Sequence, residues 1–212
     1  MKVLARIFSY VFHPLLLVTY TFLFLMWFNP FAFGSPDFKG AVSKQDINLI
    51  LIFVCTALLP FIMIFMMKFL ELLVDLNMED PKDRIGPYIS SGMFYLWIFF
   101  NVNSNPQLPP AFKIFTLGAT IALFLAFFLN NFTRISVYTV GMGTMIGTVM
   151  LNWLAADPLT ILGIFQIVLI IAGIMGTARL SLKASKTEDL YGGYFVGFIA
   201  QFIAGIIFTV FL

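Results

Sequence analysis

Stretches of about 20 residues without a charged side chain recur from one end of this chain to the other, and that is the length a helix needs to cross the hydrocarbon of a bilayer. Inside lipid, backbone N–H and C=O groups must be satisfied within a helix or in a closed barrel. The period-two alternation of barrel strands is absent, so the runs read as helices. The 212 residues are 61% hydrophobic and 10% charged, against roughly 25% charged in soluble domains, which excludes a water-soluble globule. The expected fold is an all-α polytopic transmembrane helical bundle, a single transmembrane domain over residues 1–212.

Seven spans can be drawn. They are Ile7–Phe28, Ile47–Lys68, Tyr88–Val102, Ile114–Leu129, Val137–Ala155, a sixth that reaches Gly176, and Tyr191–Leu212. Six follow if Tyr88–Val102 only dips into the interface. The first run is too long for a signal-peptide core and no small-residue cleavage site follows it, so it is expected to be retained. Within it, His13 precedes Pro14, a residue that frees a carbonyl and kinks a transmembrane helix. A lone histidine there reads first as a neutral, hydrogen-bonded group near the interface, although an ionisable side chain at that depth can also serve function.

Loops carry the remaining signals. Asn29–Asp46 and the prolines 106, 109 and 110 mark connections. Glu71–Pro87 reads as an amphipathic surface helix ending at Pro81, followed by a turn. Asp157-Pro158 is a tight turn. Gly143 and Gly147, four apart, permit close helix approach, and Gly193, Gly197 and Gly205 mark a packed face on the last span.

Charge placement sets orientation. With a cytoplasmic N-terminus and seven crossings, the cytoplasmic side receives Lys2, Arg6, Lys68, Lys82, Arg84, Arg134, Arg179, Lys183 and Lys186, and the outer side Lys39, Lys44 and Lys113. That excess matches the bias of membrane insertion. Net charge is +2 with no basic stripe, so no nucleic-acid partner is implied. Cys55 has no partner cysteine for a disulfide or a Cys-x-x-Cys site, the Met63, Met66 and Met67 cluster reads as adaptable packing, and no cofactor or metal is implied.

One polar island stands out: Gly176–Gly197, which holds Arg179, Lys183, Lys186, Glu188 and Asp189 between two apolar runs. Under the topology above, it shares a membrane face with Glu71–Pro87 and Asn130–Ser136. The three segments offer Lys82 and Arg84, then Ser136 and Tyr138 at a helix start, then Arg179, Ser185 and Asp189. Cations, hydroxyls and helix N-termini are what a phosphate group requires. Each residue also has a plainer use: Ser136 as a helix cap, Tyr138 as an interfacial aromatic, Asp189 as a cap or a partner for Lys186, and the cations as topology determinants.

Taken together, the spacings resemble the type 2 phosphatidic acid phosphatase superfamily of membrane lipid phosphatases. Arg179, five residues, Ser185, three residues and Asp189 follow that family's third motif, Ser-Arg-x5-His-x3-Asp. Ser136 to Gly141, SVYTVG, has the spacing of Ser-x-His-x-x-Gly in the second. Lys82 to Pro87, KDRIGP, follows the first loosely, with Gly86 where the family has arginine before proline, and the FHPL of Phe12–Leu15 is similar to a bacterial branch. The resemblance implies a bacterial inner-membrane protein whose phosphate is cradled by Lys82, Arg84, Ser136 and Arg179, with Asp189 as the orienting acid.

Both motif histidines are replaced. Ser185 stands at the nucleophile position and Tyr138 at the acid position. Serine needs an activating base, and tyrosine, with a pKa near 10, is a poor proton shuttle at neutral pH. The resemblance therefore implies a non-catalytic relative that binds phosphate or a phospholipid headgroup among membrane lipids, or serves a membrane-protein partner or homo-oligomer as a subunit. The alternative is an active lipid phosphatase of the phosphatidate or isoprenyl phosphate class with a substituted nucleophile.

Overall fold

The computed structural model describes residues 2–73, 81–152 and 158–211. Regular structure among the described residues is helical throughout, with no strand. The helices gather into two compact units: Leu15–Thr116 is one, and Met1–Pro14 with Leu117–Leu212 the other.

Helix α1 covers Lys2–Val11 and α2 covers Pro14–Phe28. The kink expected at Pro14 is a complete break. The last bond of α1 runs from Phe12 N to Phe8 O, His13 leaves helical geometry, and Pro14 restarts the helix after a 64° bend. Proline tolerates that first position because no N–H is needed there.

In the Leu15–Thr116 unit, α2 leads through a short turn at Pro30–Phe33 to α3 (Phe38–Lys44), whose first turn is capped by Asp37 Oδ1 accepting from Gly40 N at 2.7 Å. The next span is α4 (Asp46–Phe53) and α5 (Leu59–Phe69), joined by a widened π turn at Val54–Leu58. The π turn has a cause in Pro60. Proline removes one helical N–H and crowds the carbonyl four residues back, and the extra residue in the turn opens space for both. Leu59 N accordingly reaches Val54 O.

Helix α6 spans Ile85–Ser104 and begins earlier than the sequence suggested, because Pro87 falls in its first turn. Phe22 packs on Phe33 and Phe112 with ring centroids 5.5 and 4.6 Å apart, and all three rings are buried. At one end of the unit Asn105 Nδ2 donates to Asn48 Oδ1 at 3.2 Å, and Lys113 Nζ donates to Asn103 O at 3.0 Å. Most of the surface helix expected ahead of Pro81 falls on residues 74–80, outside the described residues; Pro81–Arg84 is a single tight turn.

The other unit contains most of α7 (Pro110–Leu129), then α8 (Val137–Asn152), α9 (Pro158–Ser181) and α10 (Thr187–Phe211). The end expected for the fifth span and the Asp157-Pro158 turn involve residues 153–157, which lie outside the described residues. Helices α8 and α10 run parallel in close contact. A Cβ on Gly197 would collide with the carbonyl oxygen of Val140, one on Gly193 with Thr139 Oγ1, and one on Gly147 would lie 2.8 Å from Gln201 Cβ. Helix α9 returns antiparallel, with Tyr194 Oη donating to Ala172 O at 2.5 Å, and α1 packs on α9 through Ala5 and Ser9.

Among the described residues, four helices are long and apolar enough to cross a membrane: Asp46–Phe69, Pro110–Leu129, Leu162–Ser181 and Thr187–Phe211. The bent pair α1–α2 makes a fifth if it is one broken span. Their outward faces are apolar, as along α4–α5, where Ile47, Ile50, Phe61, Phe65 and Phe69 are exposed. This is a helical, membrane-type chain.

The contact between α8 and α10 predicts a paired result. Gly197→Ala forces backbone apart and should lower stability by about 1–3 kcal/mol. Gly173→Ala, where an added Cβ meets nothing within 4 Å, should be neutral or stabilise by up to about 1 kcal/mol. Thermal unfolding of the two variants in detergent checks the contrast.

Candidate functional site

Three helix ends meet in the unit built from α1 and α7–α10. The N-termini of α8 and α10 are tied by Ser136 N donating to Asp189 O at 3.1 Å. The C-terminus of α9 lies beside them, because Arg179 in its last turn stands over Tyr138 in the first turn of α8.

Helix α9 runs past Gly176 to Ser181, so Arg179 is a helical residue rather than a loop residue. It ends in a Schellman arrangement: Ala184 N donates to Arg179 O at 3.1 Å and Lys183 N to Leu180 O at 2.9 Å. Lys183 takes the left-handed position, with φ 55°, where glycine is usual. Helix α10 begins at Thr187, ahead of the expected Tyr191. Asp189 explains the earlier start: its Oδ2 accepts from Lys186 N at 2.8 Å, the back-reaching half of a capping box.

Asp189 is buried, and its described side-chain bond closes its own helix rather than reaching Ser185. Ser185 is half-buried in the connection between α9 and α10. Ser136 behaves differently from an ordinary cap. Its carbonyl accepts from Thr139 N and Val140 N, as an N-cap carbonyl does, and from Thr139 Oγ1, but its hydroxyl makes no capping bond. The residue is only 6% exposed, and Oγ has no hydrogen-bond partner among the described residues. A buried polar atom left unsatisfied costs about 1–3 kcal/mol.

Arg179 repeats the pattern. Its guanidinium carbon lies 4.1 Å from the centroid of the Tyr138 ring, a cation–π contact, while Nε is buried without a hydrogen-bond partner among the described residues. The C-terminal end of α9 favours a cation at this point. Arg134, exposed and two residues before Ser136, is within electrostatic reach of Arg179. Arg179, the buried Ser136 hydroxyl and two helix N-termini therefore meet at one end of the unit, with Arg134 within electrostatic reach of Arg179.

Sequence reasoning missed one member and set another aside. Arg134 figured only in the charge count, and His13, which the expected topology puts on the same face as the polar segments, was read first as a neutral group near the interface. The His13 ring instead packs edge-on against Tyr138, centroids 5.6 Å apart at 78°. The signals for it were that the chain has one histidine, that Pro14 follows, and that it falls early in the first expected span, on the face shared by the polar segments. Lys82 and Arg84 belong to the Leu15–Thr116 unit; Lys82 is exposed, and Arg84 is half-buried within electrostatic reach of Tyr88. Among the described residues, no group of three His, Cys, Asp or Glu side chains is arranged to hold a metal.

Set beside known protein families, curated proteins and solved structures, the chain matches none of them.

The left-handed Lys183 yields a second prediction. A non-glycine residue in that conformation is strained by about 1–2 kcal/mol, part of which glycine returns as unfolded-chain entropy. Lys183→Gly should therefore raise stability by roughly 0.5–1 kcal/mol in chemical or thermal unfolding.

Proposed function

We propose that this chain is a membrane protein related to the type 2 phosphatidic acid phosphatase superfamily, and that it binds a phosphate group, free or on a phospholipid headgroup, without hydrolysing it. The observation that carries the reading is a pair of buried polar atoms without a hydrogen-bond partner among the described residues, Ser136 Oγ and Arg179 Nε, with Arg134 within electrostatic reach of Arg179. An anion there would take hydrogen bonds from both and relieve the repulsion between Arg134 and Arg179. Hydroxyl and guanidinium donors stabilise charge, but neither activates a nucleophile. Asp189 is engaged in capping, and Ser185 has no base assigned to it.

In this reading α6 and α8 complete seven crossings of a bacterial inner membrane, with the site and the N-terminus on the cytoplasmic side. Support comes from the cation count and from Lys39, Lys44 and Lys113 all falling near loops expected outside. A reporter active only in the cytoplasm, fused after Lys186, should be active. Activity confined to a periplasmic reporter would reverse the orientation.

Binding is tested on the full chain in nanodiscs, with inorganic phosphate or with dioleoyl phosphatidic acid against a phosphatidylcholine background. Wild type should bind, and Arg179→Gln should weaken binding about 10- to 100-fold, the worth of a hydrogen bond to a charged group. Neither protein should release phosphate from the lipid. Robust turnover by wild type that disappears in Ser185→Ala would replace this reading with an active lipid phosphatase of the phosphatidate or isoprenyl phosphate class.

A further inference from the structure

The only histidine of the chain follows α1, far in sequence from the polar segments that build the anion site, yet it lies in the same compact unit as Arg134, Ser136 and Arg179. Its position has a local cause. Helix α1 stops at Val11, Phe12 N makes the last bond to Phe8 O, and Pro14 cannot continue the hydrogen-bond ladder. His13 is thus held at a helix break beside Tyr138 rather than on a regular helix face.

The three side chains form a layered set. Arg179 lies over the Tyr138 ring at 4.1 Å, and the His13 ring meets Tyr138 in an edge arrangement at 5.6 Å. His13 is also within electrostatic reach of Arg179. Ser136, with its unpartnered buried hydroxyl, is two residues from Tyr138. An imidazole offers what the rest of the set lacks, a compact ring N–H donor that can also accept a proton. A phosphoryl group has several acceptor oxygens, more than one guanidinium edge and one hydroxyl satisfy.

We propose that His13 is a ligand-contacting residue of this site, its imidazole N–H donating to an oxygen of the phosphoryl group held by Arg179 and Ser136. The inference rests on the phosphate-binding reading above and adds to it a residue delivered by the N-terminal helix. The chemistry recognised is a phosphate monoester or inorganic phosphate, and the α1–α2 break becomes part of the binding apparatus rather than only a bend in a span.

Because the chain has one histidine, ring-nitrogen labelling with 15N-histidine reports on this imidazole alone. The full chain in phosphatidylcholine nanodiscs is titrated with inorganic phosphate, and in a second arm phosphatidic acid is incorporated into the disc, with binding followed in parallel by 31P resonance. The ring nitrogens should shift with the same saturation as the 31P signal. A shift in both arms assigns recognition to the phosphoryl group itself, and a shift only with phosphatidic acid assigns it to the lipid. Two variants separate contact from packing. His13→Phe keeps an aromatic edge against Tyr138 but has no N–H and should bind about 10-fold more weakly or worse, whereas His13→Gln keeps a donor and should retain most of the affinity. Phosphate binding with unshifted ring nitrogens, or His13→Phe binding as well as wild type, overturns the inference and leaves the phosphate-binding reading standing. Wild type that binds neither probe overturns both.

Discussion

The contact on which the rest depends is the near-touching of α8 and α10. Gly193 and Gly197 on one helix and Gly143 and Gly147 on the other remove the side chains that would hold two backbones apart. In lipid, where no hydrophobic force separates one apolar helix from another, close van der Waals approach of this kind supplies much of the association energy. Because the helices run parallel, it also aligns their N-termini, and the bond from Ser136 N to Asp189 O pins that alignment. Two positive dipole ends are then held side by side, with the last turn of α9 and its arginine next to them.

That arrangement makes the local choices of Asp189 and Ser136 intelligible. Asp189 satisfies the start of α10, and its main-chain oxygen satisfies Ser136 N. Thr139 takes over the short-range bonding at the start of α8 by donating both N–H and Oγ1 to the Ser136 carbonyl. The Ser136 hydroxyl is the atom left over. Arg179 is held by the Tyr138 ring face, at the C-terminal end of a helix whose dipole favours a cation.

Helix positions and types were legible because they follow from local chemistry. Uncharged runs of membrane-crossing length, with Pro, Asn and Asp between them, can be read directly. Boundaries moved wherever a cap or a proline at a first turn extended a helix, as at Thr187 through Asp189 and at Ile85 through Pro87. The glycines could be recognised as a close-packed face, but their partners could not. The spacing of Ser136, Tyr138, Arg179 and Asp189 singled out residues that the fold gathers at one end of one unit, while Lys82 and Arg84 lie in the other unit.

Apolarity, span length and the polar island at Gly176–Gly197 were determined by the sequence alone, since lipid burial and backbone hydrogen bonding act on each segment separately. Only the tertiary structure decided that Asp189 closes its own helix, that the Ser136 hydroxyl finds no partner among the described residues, and that His13 meets Tyr138. Each outcome depends on which atoms of distant segments come within about 3–6 Å, a distance set by helix packing and by the break at Pro14 rather than by any local pattern.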